Sequence, residues 1–203
     1  MLHLATNCEG QPVLVIGAGI VGAHKAAQLV EAGALVTLIA TDVVAPLPAG
    51  LAVVVVRPYR TGDVKGHFLV VSATGDGAMN DQIVAEAAAE QIWLNVVDDP
   101  GRSSFFFAAT HRSGDVVVSV STQGGSPALA QVLRNRIADS LPGDLAEIVA
   151  ILRVERQEMH ASGVSTEGFD WTSRIAELLE KSGPDSTQEH GSISISPPEP
   201  ANL

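Results

Sequence analysis

Val13-Leu-Val-Ile-Gly17-Ala-Gly19-Ile-Val-Gly22 decides the fold. Four apolar residues run straight into a Gly-x-Gly-x-x-Gly turn. Ala23-His-Lys-Ala-Ala-Gln-Leu-Val-Glu-Ala-Gly33 then continues with a helical apolar pattern, and Val36-Thr-Leu-Ile-Ala40 reads as a second strand. Strand, glycine turn, helix and strand within about thirty residues is the context that a dinucleotide-binding unit requires. Gly17 permits the tight turn, Gly19 lets a pyrophosphate approach the backbone, and Gly22 lets the helix pack closely on the strand. Unpaired N–H groups at the helix start, reinforced by its dipole, favour an anion there. The candidate nucleotide contacts are therefore Gly17, Ala18, Gly19, Ile20, Val21 and Gly22. A plain tight turn in an α/β domain is the competing reading.

Composition sets the outer bounds. The chain has 203 residues, 46% of them hydrophobic, enough for one substantial core or for a domain with a smaller companion. A net charge of −11 argues against a nucleic-acid ligand, because phosphate backbones need a basic surface. Cys8 is the only cysteine, which excludes an intramolecular disulfide and a thiolate metal site. It reads as an inert, partly buried thiol. His3, His24, His67, His111, His160 and His190 show no metal-ligand spacing, so no protein-bound metal is expected. No segment approaches the about 18 unbroken apolar residues of a membrane span, and the amino terminus lacks a secretory pattern. The expectation is a soluble, cytoplasmic protein without membrane contacts.

From Val13 to about Val97, strand-like and helix-like segments alternate. Leu51–Val56, Phe68–Ala73 and Trp93–Val97 read as strands, and Ala78–Glu90 as an alanine-rich helix. Strands separated by helices predict a parallel sheet covered on both faces. After Pro100 the character changes. Ser104–Ala109, His111–Gly114 and Val116–Val120 read as strand, turn and strand, a hairpin without an intervening helix. Ser126-Pro127 opens a helix from Ala128 to about Ser140, and Asp144 is placed to cap another through about Met159. Gly163–Gly168 reads as a loop, and Trp171 to about Lys181 as a last amphipathic helix. Residues 182–203 are rich in Gly, Pro, Ser and Glu and predict disorder.

Several segments carry candidate chemistry. Asn95-Val-Val-Asp98-Asp99-Pro100 places two carboxylates at the carboxyl end of a sheet strand, the edge where ligands bind in open α/β sheets. A carboxylate there suits a general base, although loop-capping aspartates before a proline fit equally. Ser121-Thr-Gln-Gly-Gly-Ser-Pro127 is either an anion-binding turn or a structural strand-to-helix connection. Ser72-Ala-Thr-Gly-Asp-Gly-Ala-Met-Asn80 follows another strand; Thr74 and Asn80 either hydrogen-bond a nicotinamide ribose or carboxamide, or simply form a turn. Arg134 and Arg136 follow in the later helix, on a solvated face or facing an acidic ligand.

The order of these features resembles the precorrin-2 dehydrogenase family, the NAD-dependent module of siroheme synthesis, over about residues 2–180. The resemblance rests on Val13–Gly33, Ser72-Ala-Thr-x-Asp76 with Asn80, Asn95-Val-Val-Asp98-x-Pro100 followed by Ser104-Phe105, and Ser121-Thr-x-Gly124-Gly125-Ser126-Pro127. It implies an α/β fold: a Rossmann-type parallel sheet domain over residues 1–112, a β-hairpin and helix dimerisation region over 113–141, and a small helical domain over 142–181. It implies oxidation of precorrin-2 to sirohydrochlorin with NAD as hydride acceptor, in a homodimer. Fe²⁺ insertion into sirohydrochlorin is a second activity of some members, a dehydrogenase alone is the alternative, and a non-catalytic NAD sensor is the rival class. Asp98 falls on the family's proposed general base. Thr74, Asp76, Asn80 and Asn95 fall on the cofactor side; Ser121, Thr122, Gly124, Gly125, Ser126 and Arg134 fall on the substrate side. The chain departs from its relatives at Gly75, where a second aspartate is frequent, and at Ala108, where a proline is. Asp42 lies beyond the expected end of the second strand.

Overall fold

Val13–Ile16 is apolar at every position, and such a run suits a strand buried on both faces. The computed structural model describes residues 2–181, so the expected disordered segment 182–203 lies outside the described residues. Strands β1 (Pro12–Ala18), β2 (Leu35–Val43), β3 (Val53–Val56), β4 (Leu69–Ser72) and β5 (Trp93–Val96) form a parallel sheet in the order β3-β2-β1-β4-β5. Helices α1 (Ile20–Glu31) and α2 (Gly77–Ala89) supply its two covers. The period of two in β1 divides the core. Val13 and Val15 cluster with Ala26 and Leu29 of α1, whereas Leu14 and Ile16 cluster with Ile83 and Ala87 of α2. The central strand thus has no solvent face, which is why it lacks the polar alternation of a half-exposed strand.

A polar clasp closes the loop between β3 and β4. Arg57 donates to both carboxylate oxygens of Asp63, at 2.6 and 2.8 Å, and Asp63 also accepts from the Arg60 N–H at 2.7 Å. The Tyr59 hydroxyl and the Gly62 N–H both donate to Glu86 of α2. Burial, with Glu86 beside it, pushes the Tyr59 phenol upward, so it stays a donor at neutral pH. The Arg57 guanidinium holds the Asp63 carboxyl below the usual carboxylate range.

Contacts divide the described chain in two: residues up to Phe107 with Gln123–Ser126, and Ala108–Thr122 with the residues from Pro127 onward. In the second unit, β6 (Ala109–Ser113) and β7 (Val116–Val120) form an antiparallel hairpin, followed by α3 (Pro127–Ser140), α4 (Leu145–Ala161) and α5 (Trp171–Lys181). Among the described residues no helix is long and apolar enough to cross a membrane.

Two local expectations are corrected. The first hairpin strand is Ala109–Ser113 instead of Ser104–Ala109, and Ser113 pairs with Val116 across the turn. The preceding aromatic segment is spent on the edge of β5. The Ser104 N–H donates to the Leu94 carbonyl at 2.7 Å, and the Leu94 N–H donates to the Ser104 hydroxyl at 2.8 Å. Phe105 and Phe107 pack into the α1-side core. Asp144 precedes α4 as expected, but its side chain makes no capping bond there. Its backbone (φ −103, ψ 19) is outside the extended region that aims a cap at the first N–H groups.

The Arg57–Asp63 clasp yields a stability prediction. Asp63→Asn destabilises the protein by about 1–2 kcal/mol at pH 7, the worth of a part-buried charged hydrogen bond. Because the folded carboxyl is depressed, the wild-type advantage is full above about pH 4 and is lost as pH falls through the folded value. Urea unfolding of both proteins at pH 7, 5 and 3 checks the convergence.

Candidate functional site

Three strand ends lie side by side. Ile16 of β1 pairs with Ser72 of β4, and Ser72 pairs with Val96 of β5. Just past this row come Gly17, the Ala73-Thr74 loop, and Val97-Asp98. Neighbouring strands are ~4.8 Å apart, so the ends of β1 and β5 lie about 10 Å from each other. β1 has β2 on one side and β4 on the other, so this edge is the topological switch point where open α/β sheets bind ligands.

The glycine turn is built by exclusion. Gly17 has φ +105, and a Cβ there would sit 2.4 Å from the Ala73 carbonyl oxygen. At Gly22 a Cβ would sit 2.1 Å from the Gly17 carbonyl oxygen, so α1 touches the turn. Gly19 differs: a Cβ there would meet nothing within 4 Å. Its free space opens onto the first turn of α1, which has no side-chain cap and no acidic residue. Ala18 is buried, while Ile20 and Val21 are exposed. Unsatisfied N–H groups, a favourable dipole and room for an approaching group fit the pyrophosphate of a dinucleotide.

β2 continues to Val43, which pairs with Ala18 after a register shift. Asp42 therefore belongs to the carboxyl end of β2, where the sequence reading stopped the strand at Ala40. The missed signal is the β-branched continuation through Val43-Val44.

The β4–α2 loop satisfies itself. The Ser72 and Thr74 hydroxyls donate to the Asn80 amide oxygen at 2.6 and 3.0 Å, and Asn80 is buried. Thr74 also accepts from the Asp76 N–H at 3.2 Å, while the Asp76 carboxylate caps α2 at the Ala78 and Met79 N–H groups. Asn95 is buried in β5 and donates to the Phe105 carbonyl at 3.0 Å. These polar side chains hold loops in place.

The two neighbouring aspartates separate cleanly. Asp99 caps a short 3-10 turn over Pro100–Arg102 by accepting from the Arg102 N–H at 3.2 Å. Asp98 is exposed, has φ +62, and makes no hydrogen bond or ion pair among the described residues. A left-handed conformation costs a non-glycine residue about 1–2 kcal/mol, least for Asn and Asp. Such strain with an unengaged carboxylate is a mark of a functional position.

The hydroxyl-glycine segment joins this turn. Gln123 (φ +55) and Gly124 (φ +82) are both left-handed, and a Cβ on Gly124 would lie 3.2 Å from the Pro100 ring. Gly124 is thereby packed against the turn that carries Asp98. Gly125 is exposed and Ser126 half-buried just ahead of α3. Ser121 and Thr122 are half-buried after β7, in the second unit. Arg134 of α3 is half-buried in that unit, with its Nε buried and unpaired among the described residues. No three His, Cys, Asp or Glu side chains among the described residues come together as a metal site.

The chain is similar to known proteins. A family model described as "Putative NAD(P)-binding" matches residues 4–109. The siroheme synthase of Ectopseudomonas mendocina (strain ymp) is 37% identical over 149 residues, covering 72% of this chain and 32% of that protein. The siroheme synthase of Tolumonas auensis is 32% identical over 198 residues, covering 93% of this chain and 42% of that protein. The chain thus spans about a third to two fifths of the length of the curated relatives it matches. A solved structure titled "SirC, precorrin-2 dehydrogenase" has the same fold, with a TM-score of 0.67 and 22% identity over 91% of this chain and 90% of that one.

The open space at Gly19 separates folding from binding. Gly19 has φ −75, which alanine adopts freely. Gly19→Ala keeps the wild-type melting temperature within about 2 °C yet weakens NAD binding at least about tenfold, since its methyl group fills the pyrophosphate approach. Gly22→Ala, by contrast, lowers the melting temperature. Thermal denaturation with and without NAD, beside a fluorescence titration, distinguishes the two.

Proposed function

The chain belongs to the NAD(P)-binding family that it shares with siroheme synthases, and on that premise we propose that it oxidises precorrin-2 to sirohydrochlorin with NAD as acceptor. The observation that carries this reading is the unengaged Asp98 carboxylate on a turn about 10 Å across the strand ends from the glycine turn, braced by Gly124 against Pro100. A non-catalytic nucleotide sensor has no use for a strained, exposed carboxylate beside the cofactor edge.

The reaction removes two hydrogens from the macrocycle: NAD, when bound, would supply the hydride acceptor, and a base takes the other hydrogen as a proton. Gly19 and the N–H groups of Ile20, Val21 and Gly22 hold the pyrophosphate, with Gly17 and Ala18 shaping the turn beneath it. Asp42, at the end of β2, binds ribose hydroxyls and repels a 2′-phosphate, which favours NAD over NADP. Thr74, Asp76 and Asn80 fix the β4 loop on the nicotinamide side, and Asn95 fixes the segment after Asp98. Asp98 takes the proton, so the products are NADH, sirohydrochlorin and a protonated carboxyl that returns its proton to water. Positioned proton transfer of this kind contributes about 10²–10⁴-fold. The family resemblance implies substrate roles for Gly124, Gly125 and Ser126 beside the Asp98 turn, and separately for Ser121 and Thr122 in the second unit. The resemblance implies a substrate role for Arg134 as well, whose Nε is buried and unpaired among the described residues.

The assembly in this reading is a cytoplasmic homodimer. Leu129, Val132, Leu133 and Ile137 are all exposed on α3 at helical spacing, a continuous apolar stripe that a second copy covers. Residues up to Phe107 then serve nucleotide binding, the β6–β7 hairpin and α3 dimerisation, and α4 with α5 the remaining helical domain, which moves the expected boundary at 112 to the start of β6.

Anaerobic mixing with precorrin-2 and NAD gives NADH absorbance in step with the sirohydrochlorin spectrum. Asp98→Ala binds NAD with an unchanged Kd and loses about 10²-fold or more in kcat; wild-type turnover by that variant removes Asp98 from the chemistry. Val132→Glu with Leu133→Glu shifts the sedimenting species from dimer to monomer, and an unchanged mass in the double variant places the interface elsewhere.

A further inference from the structure

Among the described residues none hydrogen-bonds or ion-pairs with the Asp98 side chain, so its aim depends on the turn around it. The Val97 N–H donates to the Ser72 carbonyl at 2.9 Å, and the Asp99 N–H donates to the Val96 carbonyl at 3.1 Å. One further group spans the turn. The Ser103 hydroxyl accepts from the Val96 N–H at 3.0 Å and lies within donating distance of the Val96 and Asp99 carbonyls, at 3.2 and 2.9 Å. It therefore ties together the residues on either side of Asp98. Arg102 ties the same turn to α2, with its guanidinium 2.8 Å from Asp81 and 3.5 Å from Asp99.

We propose that Ser103, and secondarily Arg102, are positioning residues that lock the left-handed turn from which the Asp98 carboxylate reaches the substrate. This rests on the reading of Asp98 as the base. Ser103 ranks first on physical grounds. Its hydroxyl is part-buried and satisfies backbone groups at both ends of the turn, whereas the Arg102–Asp81 pair is exposed and screened by water and salt. Without the hydroxyl, the turn is free to relax toward ordinary backbone angles and swing the carboxylate away. A displacement of about 1 Å is enough to lose a large part of the rate.

The test compares Ser103→Ala, Arg102→Ala and Arg102→Lys in the full chain with wild type, each alone and combined with Asp98→Ala. Ser103→Ala lowers kcat by on the order of tenfold or more while the NAD Kd and the KM for precorrin-2 stay within about twofold. Arg102→Ala gives a smaller fall in kcat, and Arg102→Lys recovers part of it by keeping a cation beside Asp81. In the Asp98→Ala background, Ser103→Ala and Arg102→Ala leave the residual rate unchanged, because they act only through the missing carboxylate. Equal fractional losses with and without Asp98 mean a general structural effect and overturn the proposal. Wild-type kcat in both single variants, with Asp98→Ala inactive, overturns it while leaving the base assignment intact. A fully active Asp98→Ala removes the base, and the positioning role falls with it. Should Ser103→Ala not fold, the variants of Arg102, which is half-buried, carry the same comparison.

Discussion

A missing side chain at position 17 governs the ligand edge of the sheet. The Gly17 backbone lies so close to the Ala73 carbonyl that any Cβ would overlap it, and α1 closes on the same turn through Gly22. Glycine at these positions brings the end of β1, the start of α1 and the loop after β4 together. The Ser72–Val96 pairing carries that placement across to β5. The distance from the glycine turn to Asp98 is thus set by two strand spacings and by packing around β1, whose apolar residues are almost wholly buried. A carboxylate borne on such a rigid edge needs no large loop movement to reach its working place.

The first half of the fold was legible because its two periodicities are unmixed. Continuous apolar runs mark the buried strands, and the glycine triplet marks the boundary between strand and helix. The aromatic segment after Pro100 was not legible as what it is. Ser104-Phe-Phe-Phe has strand composition, but the pairing that holds it to β5 runs through the Ser103 and Ser104 hydroxyls and the Asn95 amide. Side-chain mimicry of a sheet ladder leaves no period in the sequence. Its effect is to cover an edge that would otherwise present unpaired backbone groups.

The site divides in the same way. The spacing of Asn95-Val-Val-Asp98-Asp99-Pro100 located the carboxylates at a strand end but left base and cap as alternatives. Backbone conformation settles only the cap: Asp99 is committed to the 3-10 turn, and Asp98 is left-handed and unengaged among the described residues. No residue pattern announces a positive φ at aspartate. Thr74, Asp76 and Asn80 show the converse, because residues attractive as direct ligands turn out to spend their hydrogen bonds on one another. Asp42 belongs to β2 because the strand runs on past Ala40 through a register shift, a continuation marked only by the β-branched Val43-Val44.

The balance of charge explains why neutral groups dominate this edge. A chain of net charge −11 repels a dinucleotide at long range. Attraction must therefore be local, from groups that act within a Debye length of about 8–10 Å. The first turn of α1 meets that need by omission: no acidic side chain is present to compete for its N–H groups. An exposed aspartate in the same neighbourhood raises the free energy of any bound anion, so its presence at position 98 is hard to account for as a binding device. It becomes intelligible when the group it faces has a proton to give up.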